Sequence, residues 1–228
     1  REPDEDFSAA DFKELVQQYI AEITARGKLP IIVGGSGLYI QAALYDYNFS
    51  DRKRDPLLTK EMEEIVKLEG IMPLYQRLEQ IDPEQAKKIH PNNHRRVIRA
   101  LEIYETTGMT MSEYEKNQVM ESPYNPILLG LEMPRALLYE RINDRVDQMI
   151  EKGLKTEVKK VYDKGYASCQ SMKAIGYKEW ISYFKGEQSL EGTVELLKRN
   201  SRRYAKRQYT WFKNKMDVTW YSVTPSTI

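Results

Sequence analysis

The stretch LPIIVGGSGLYIQAALYD, residues 29–46, restricts the fold more than any other part of the chain. Pro30 opens it, and Ile31, Ile32 and Val33 form a continuous β-branched run, the pattern of a parallel strand covered on both faces. Gly34 and Gly35 follow. Lacking a Cβ, they permit a sharp turn and close approach of a ligand to the backbone. Ser36 stands where a helix N-cap belongs, and Leu38, Tyr39, Ala42 and Ala43 continue at helical spacing. Free N–H groups at such a helix start attract anions, and a hydroxyl there can donate to a phosphate oxygen. Two readings stay open from this stretch alone: a structural strand–turn–helix, or a phosphate site built on Gly34, Gly35 and Ser36.

What flanks the stretch points to α/β layers. Ser8 with Asp11 makes a capping-box start. Phe12, Leu15, Val16, Tyr19, Ile20 and Ile23 then keep helical spacing until Gly27. With 228 residues, 41% of them hydrophobic, the chain can bury an α/β core and carry an elaboration on it. SDRKRDP, residues 50–56, is polar and charged, as at a domain junction. From residue 56 to about 117 the pattern is helical throughout, with short helices expected over 57–68, 72–80 and 83–89 and no strand. An all-helical insertion over 51–120 therefore interrupts an α/β core made of 1–50 and 121–228. PILLGLEM, 126–133, returns to a strand pattern, 137–149 and 191–215 read as helices, and DVTWYSV, 217–223, reads as a last strand with a loose tail.

Charge is informative in its placement rather than its sum. The net charge is only +1, yet eight Lys or Arg and no acid lie between Glu195 and Asp217. In the helix over 191–215, Leu197, Tyr204 and Trp211 recur every seven residues as an inward seam. Arg199, Arg202, Arg203, Lys206 and Lys213 are left outside, with Tyr209 and Phe212 beside them. Basic and aromatic groups together suit looped or single-stranded nucleic acid, and equally describe a solvated helix face. HPNNHRRVIRALEIYETTG, 90–108, is a helix capped by Asn92 or Asn93 and ended by Gly108, with Val97, Leu101 and Tyr104 as its apolar stripe. Its Arg95, Arg96 and Arg99 could clamp a phosphate, or simply pair with acids such as Glu102. Arg141 and Arg145 sit one turn apart, with Glu140 and Asp144 as available partners. In QSMKAIGYKE, 170–179, Lys173 and Lys178 flank a turn, and Gly176 calls for a cap or a close backbone approach.

Several classes are excluded or disfavoured. A single cysteine, Cys169, rules out an internal disulfide and suits a reducing cytoplasm, and two histidines with one cysteine argue against zinc. No apolar run approaches the roughly 18–20 residues that span a bilayer, so no membrane partner is expected.

Taken together, VGGSGLYI (33–40), HPNNHRRVIRALEIYETTG (90–108), KAIGYKE (173–179) and RRYAKRQYTWFKN (202–214) closely resemble the tRNA dimethylallyltransferase, or tRNA isopentenyltransferase, family, over nearly the whole chain. The resemblance implies a P-loop NTPase-like parallel sheet core with a helical insertion that grips the anticodon arm. It implies transfer of a dimethylallyl group from its diphosphate to the exocyclic amine of the adenine 3′ of the anticodon, assisted by Mg²⁺. Ser36 matches a position where the family usually has threonine, a hydroxyl close to the reacting centre. Gly34 and Gly35 fall beside it, and Arg141 and Arg145 in a motif expected near the diphosphate. Arg95, Arg96, Val97, Ile98 and Arg99 match one tRNA-contacting segment; Lys173, Gly176, Tyr177 and Lys178 match a second. Arg202, Arg203, Lys206, Arg207, Gln208, Trp211 and Lys213 match a third. The partners implied are a tRNA anticodon stem-loop and dimethylallyl diphosphate, acting on a cytoplasmic monomer. The family's GPTxxGKT loop and the general base that follows it are not among these residues, so the chain reads as a fragment with no metal ligands of its own. By itself it is expected to be inactive in prenyl transfer. The alternatives are an isopentenyltransferase for free adenine nucleotides and a non-catalytic RNA-binding fragment.

Overall fold

Capping chemistry sets the first element of the computed structural model, which describes residues 1–45, 55–117 and 121–224. Ser8 accepts from the Asp11 N–H while the Asp11 carboxylate accepts from the Ser8 N–H at 2.8 Å, and α1 runs Ala9–Ala25. It packs against α2 (Gly37–Leu44) through Phe7, Phe12 and Tyr39, whose rings meet with centroids 5.0–6.5 Å apart. The chain divides into two compact units, one of 1–44 and 124–228 and one of 45–123. Residues 50–54 of the polar junction expected over 50–56, and the tail at 225–228, lie outside the described residues.

The second unit is helical among its described residues: α3 (Pro56–Glu69), α4 (Met72–Ile81), α5 (Pro83–Lys88), α6 (His94–Thr107) and α7 (Met111–Lys116). Proline lies in the first turn of α3, α4 and α5, where its missing N–H costs nothing. Gly108 ends α6 in the left-handed conformation with φ 74°. Met62, Leu74, Leu78, Ala86, Ile89, Val97, Ile98 and Leu101 make its core. Asp82 is buried at the α4–α5 corner. Its carboxyl accepts from the Gln85 N–H at 3.0 Å, the Ser112 N–H at 2.8 Å and the Ser112 hydroxyl at 2.6 Å, tying α7 to that corner. Asp82→Asn would turn an amide N–H₂ toward the buried Ser112 N–H. We expect a loss of about 2 kcal/mol, read as a lower urea midpoint with an unchanged m-value.

The first unit is a helix-rich α/β assembly. β1 (Leu129–Glu132) and β2 (Thr219–Ser222) form a two-stranded parallel sheet in the register Leu129↔Thr219 to Glu132↔Ser222. Parallel neighbours need a crossover. Here it is the run α8 (Arg135–Glu151), α9 (Leu154–Asp163), two 3₁₀ turns (Tyr166–Ser168 and Ser171–Lys173), α10 (Trp180–Phe184) and α11 (Leu190–Lys215). Val146, Leu154, Val158, Met172, Trp180 and Leu197 form the core beneath these helices.

Two expectations require correction. Residues 31–33 form no strand, because a strand exists only as part of a ladder and no described segment pairs with them. Leu29, Ile31 and Val33 are accordingly 82%, 77% and 91% exposed. In α11 the seven-residue seam breaks: Leu197 is buried but Tyr204 is exposed. A straight helix drifts about 20° per heptad, so a seven-residue repeat leaves the packed face unless the helix supercoils around its neighbours.

Candidate functional site

In the first unit, two of the distinctive stretches, 33–40 and 202–214, meet around the turn that carries Ser36. The Ser36 carbonyl accepts from the Tyr39 and Ile40 N–H groups at 2.9 and 3.0 Å, which starts α2. The residue is exposed, and its hydroxyl makes no hydrogen bond among the described residues. Tyr39 donates to the Phe7 carbonyl at 3.1 Å. The Gln170 side chain brackets that same residue, accepting from the Phe7 N–H at 2.8 Å and donating to its carbonyl at 3.1 Å. From the other direction, Gln208 on α11 donates to the Gly35 carbonyl at 2.9 Å.

At Gly35 and Gly37 the missing Cβ makes room for another part of the chain. Neither Gly34 nor Gly35 adopts a positive φ, so neither is required for a left-handed turn. A Cβ on Gly35 would collide with the Gln208 amide, and one on Gly37 would fall within the Trp211 indole. What approaches closely is α11. Gly34 is exposed and open.

Gly176 answers to backbone conformation instead. Its φ is 101°, and its N–H donates at 2.9 Å to Glu179, a buried side chain that also accepts from Asn200 on α11 at 2.7 Å. This closes the turn over 174–179, with Lys178 exposed on it and Lys173 exposed just before it. Tyr177 donates to Glu157, and that hydrogen bond, together with partial burial, pushes its phenol up to about 12, so it stays protonated at neutral pH. Glu179 was missed by sequence reading; a lone acid following a glycine turn carries no signal until burial is known.

The arginines of α8 face an open cleft of about 480 Å³ lined by Met133, Leu138, Arg141, Ile142, Asp144, Arg145 and Gln148. Neither Arg141 nor Arg145 is in an ion pair among the described residues, so the pairing with Glu140 or Asp144 allowed by their spacing is not made. Two unneutralised guanidinium groups beside apolar side chains suit a ligand with an anionic head and a hydrocarbon tail. Among the described residues no group of three or more His, Cys, Asp or Glu could hold a metal ion. With Asp144 as the one carboxylate lining the cleft, these residues do not make a Mg²⁺ site of their own.

The cations of α11 divide into two sets. Arg202 donates to Asn143 at 2.6 Å and Lys213 pairs with Glu132 at 2.8 Å, so both serve the packing of the unit. Arg203, Lys206 and Arg207 are exposed and in no ion pair among the described residues; the Arg207 guanidinium lies over the Tyr204 ring at 5.7 Å. Gln208 and Trp211, expected within a tRNA-contacting segment, have their side chains turned to the Ser36 turn.

In the helical unit, α6 divides similarly. Arg95 and Arg96 are exposed and in no ion pair among the described residues. Arg99 lies 3.4 Å from buried Glu102, the pairing that its spacing allowed. The Val97 and Ile98 side chains are 0% and 4% exposed, so they anchor the helix in the core rather than face outward.

A family profile described as IPP transferase matches residues 1–215. A tRNA dimethylallyltransferase from Oceanobacillus iheyensis is 59% identical over 226 residues, 99% of this chain and 72% of that protein. The crystal structure of the full-length tRNA isopentenylpyrophosphate transferase from Bacillus halodurans is similar with TM-score 0.67 and 49% identity, covering 99% of this chain and 71% of that one. A eukaryotic dimethylallyltransferase, captured in crystallographic snapshots acting on tRNA, superposes with TM-score 0.79 at 30% identity, over 98% of this chain and 58% of that one. No helix among the described residues is long and apolar enough to cross a membrane. With its profile matched from residue 1 to residue 215 and such identities spread along its length, the chain belongs to the IPP transferase family.

Proposed function

We propose that this chain belongs to a tRNA dimethylallyltransferase, which moves a dimethylallyl group from its diphosphate to the N6 amine of the adenine 3′ of the anticodon. The observation that carries this is the match along nearly the whole chain to relatives bearing that name. In the reaction the allylic C–O bond breaks, a C–N bond forms, diphosphate departs, and the amine gives up a proton. An aromatic amine is a poor nucleophile, so the catalyst must hold it in line with the allylic carbon and stabilise the departing charge. The target base must also leave its stack to reach the site.

In this reading Arg141 and Arg145 meet the diphosphate, with Gly34 and Gly35 nearby, and the apolar wall of their cleft takes the hydrocarbon. The hydroxyl of Ser36, without a hydrogen bond among the described residues, stands in this reading at the reacting centre. Arg95, Arg96, Lys173, Lys178, Arg203, Lys206 and Arg207, all exposed, receive the phosphates of the anticodon arm. The sheet is read as part of a P-loop NTPase-like core, and the helical unit as an insertion gripping the RNA. Mg²⁺ bound with the diphosphate would neutralise charge on the departing group, and its protein ligands would come from outside these residues.

The test is prenyl transfer by the natural protein that carries these residues, using labelled dimethylallyl diphosphate and an anticodon stem-loop. Label on a loop with adenine 3′ of the anticodon, and none where a purine lacking the amine replaces it, is the expected result. Preference for free AMP would indicate a nucleotide enzyme, and tight loop binding without label an RNA-binding module. Ser36→Ala should lower kcat about tenfold or more while leaving the Kd for the loop within about twofold. Equal losses in both would remove Ser36 from the reacting centre.

A further inference from the structure

Ser36 is exposed and its hydroxyl is untethered among the described residues, so its position is set by the backbone of residues 35–37. That backbone is gripped from one side by a single helix. Gln208 Nε2 donates to the Gly35 carbonyl at 2.9 Å, and the Trp211 ring lies so close to Gly37 that no Cβ fits between them. Arg203, Lys206 and Arg207 project outward from the same helix within two turns of Gln208. A cationic outer face and an inner clamp on the turn thus share one rigid element.

We propose that Gln208 is a positioning residue for prenyl transfer: its amide holds the Gly35 carbonyl and thereby sets where the Ser36 hydroxyl stands, while Trp211 braces the other end of the turn. The proposal rests on the assignment of Ser36 to the reacting centre. It gives Gln208 an inward role, distinct from the RNA contact that its place in a basic segment suggests. A displacement of about 1 Å in a group near the reaction can cost up to about 10²-fold in rate, so one hydrogen bond to the turn is enough to matter.

Gln208→Met keeps the length of the side chain and removes the donor. It should lower kcat about tenfold with the stem-loop Kd within about twofold. The double variant Ser36→Ala/Gln208→Met should be no more than about twofold slower than Ser36→Ala, because both changes remove the same contribution. Gln208→Glu supplies a test read as a pH profile against Gln208→Met. Ionised, the new carboxyl cannot donate; protonated, it can, and a bond made only by the neutral form raises its pKa. Its rate relative to Gln208→Met should therefore rise as pH falls from about 8 to about 5.5. A ratio flat with pH, additive losses in the double variant, or a Kd loss as large as the kcat loss would each overturn the proposal. Failure is separable from failure of the functional reading: an unmodified protein that labels no stem-loop sinks that reading, whereas an active one unaffected by Gln208→Met sinks only this inference.

Discussion

Replacing Arg203, Lys206 and Arg207 together by glutamine is expected to weaken anticodon stem-loop binding by a factor on the order of 10² near physiological salt, and to flatten the dependence of log K on log salt by about 2 units. Each phosphate neutralised on single-stranded RNA contributes about 0.7 to that slope through released counter-ions, so three contacts account for the change. These three are chosen because they are exposed and in no ion pair among the described residues. Arg202, bonded to Asn143, and Lys213, paired with Glu132, are poor choices, since their loss would perturb packing as well as binding. Titration at four or five salt concentrations gives the slope directly. A slope that does not move would return this face of α11 to ordinary solvated charge.

Glu179→Ala should destabilise the protein by about 3 kcal/mol, more than Asp82→Asn does. Its side chain is 3% exposed and accepts from the Gly176 N–H and from Asn200, so truncation leaves one buried and one half-buried donor without this partner. For a protein of this size that corresponds to a fall in melting temperature of about 6–12 °C. Gln in its place keeps one acceptor and should recover part of the loss. Because Glu179 also holds the turn that presents Lys178, amide exchange over 174–178 should quicken in Glu179→Ala well below the global transition. Unchanged protection there would mean that the turn stands without this side chain.

Much of the secondary structure was legible in sequence because it is written in local chemistry. The Ser8–Asp11 box, the prolines of α3, α4 and α5, and the left-handed Gly108 each act within a turn of the chain, and the helices begin and end where they indicate. Residues 31–33 failed as a strand for the opposite reason: their β-branched pattern is local, but a strand needs a partner, and none of the described residues supplies one. Spacing also left each arginine's role undecided. Arg99 and Arg141 have equally plausible acidic neighbours in sequence, yet only Arg99 is paired, because Glu102 is buried within reach of it while Arg141 faces an open cleft.

The helices, the α/β character, the four stretches that identify the family and the concentration of positive charge in α11 are all readable from residue order. Only the tertiary structure decided what the glycines at 35 and 37 make room for, which cations are free to meet an anion, and that Glu179 and Gln208 support the turns bearing Lys178 and Ser36. Caps and periodicities are properties of adjacent residues. A clamp between residues 35 and 208 is a property of packing, and nothing in the identity of a glutamine says whether its amide will meet solvent, RNA or a carbonyl far away in the chain.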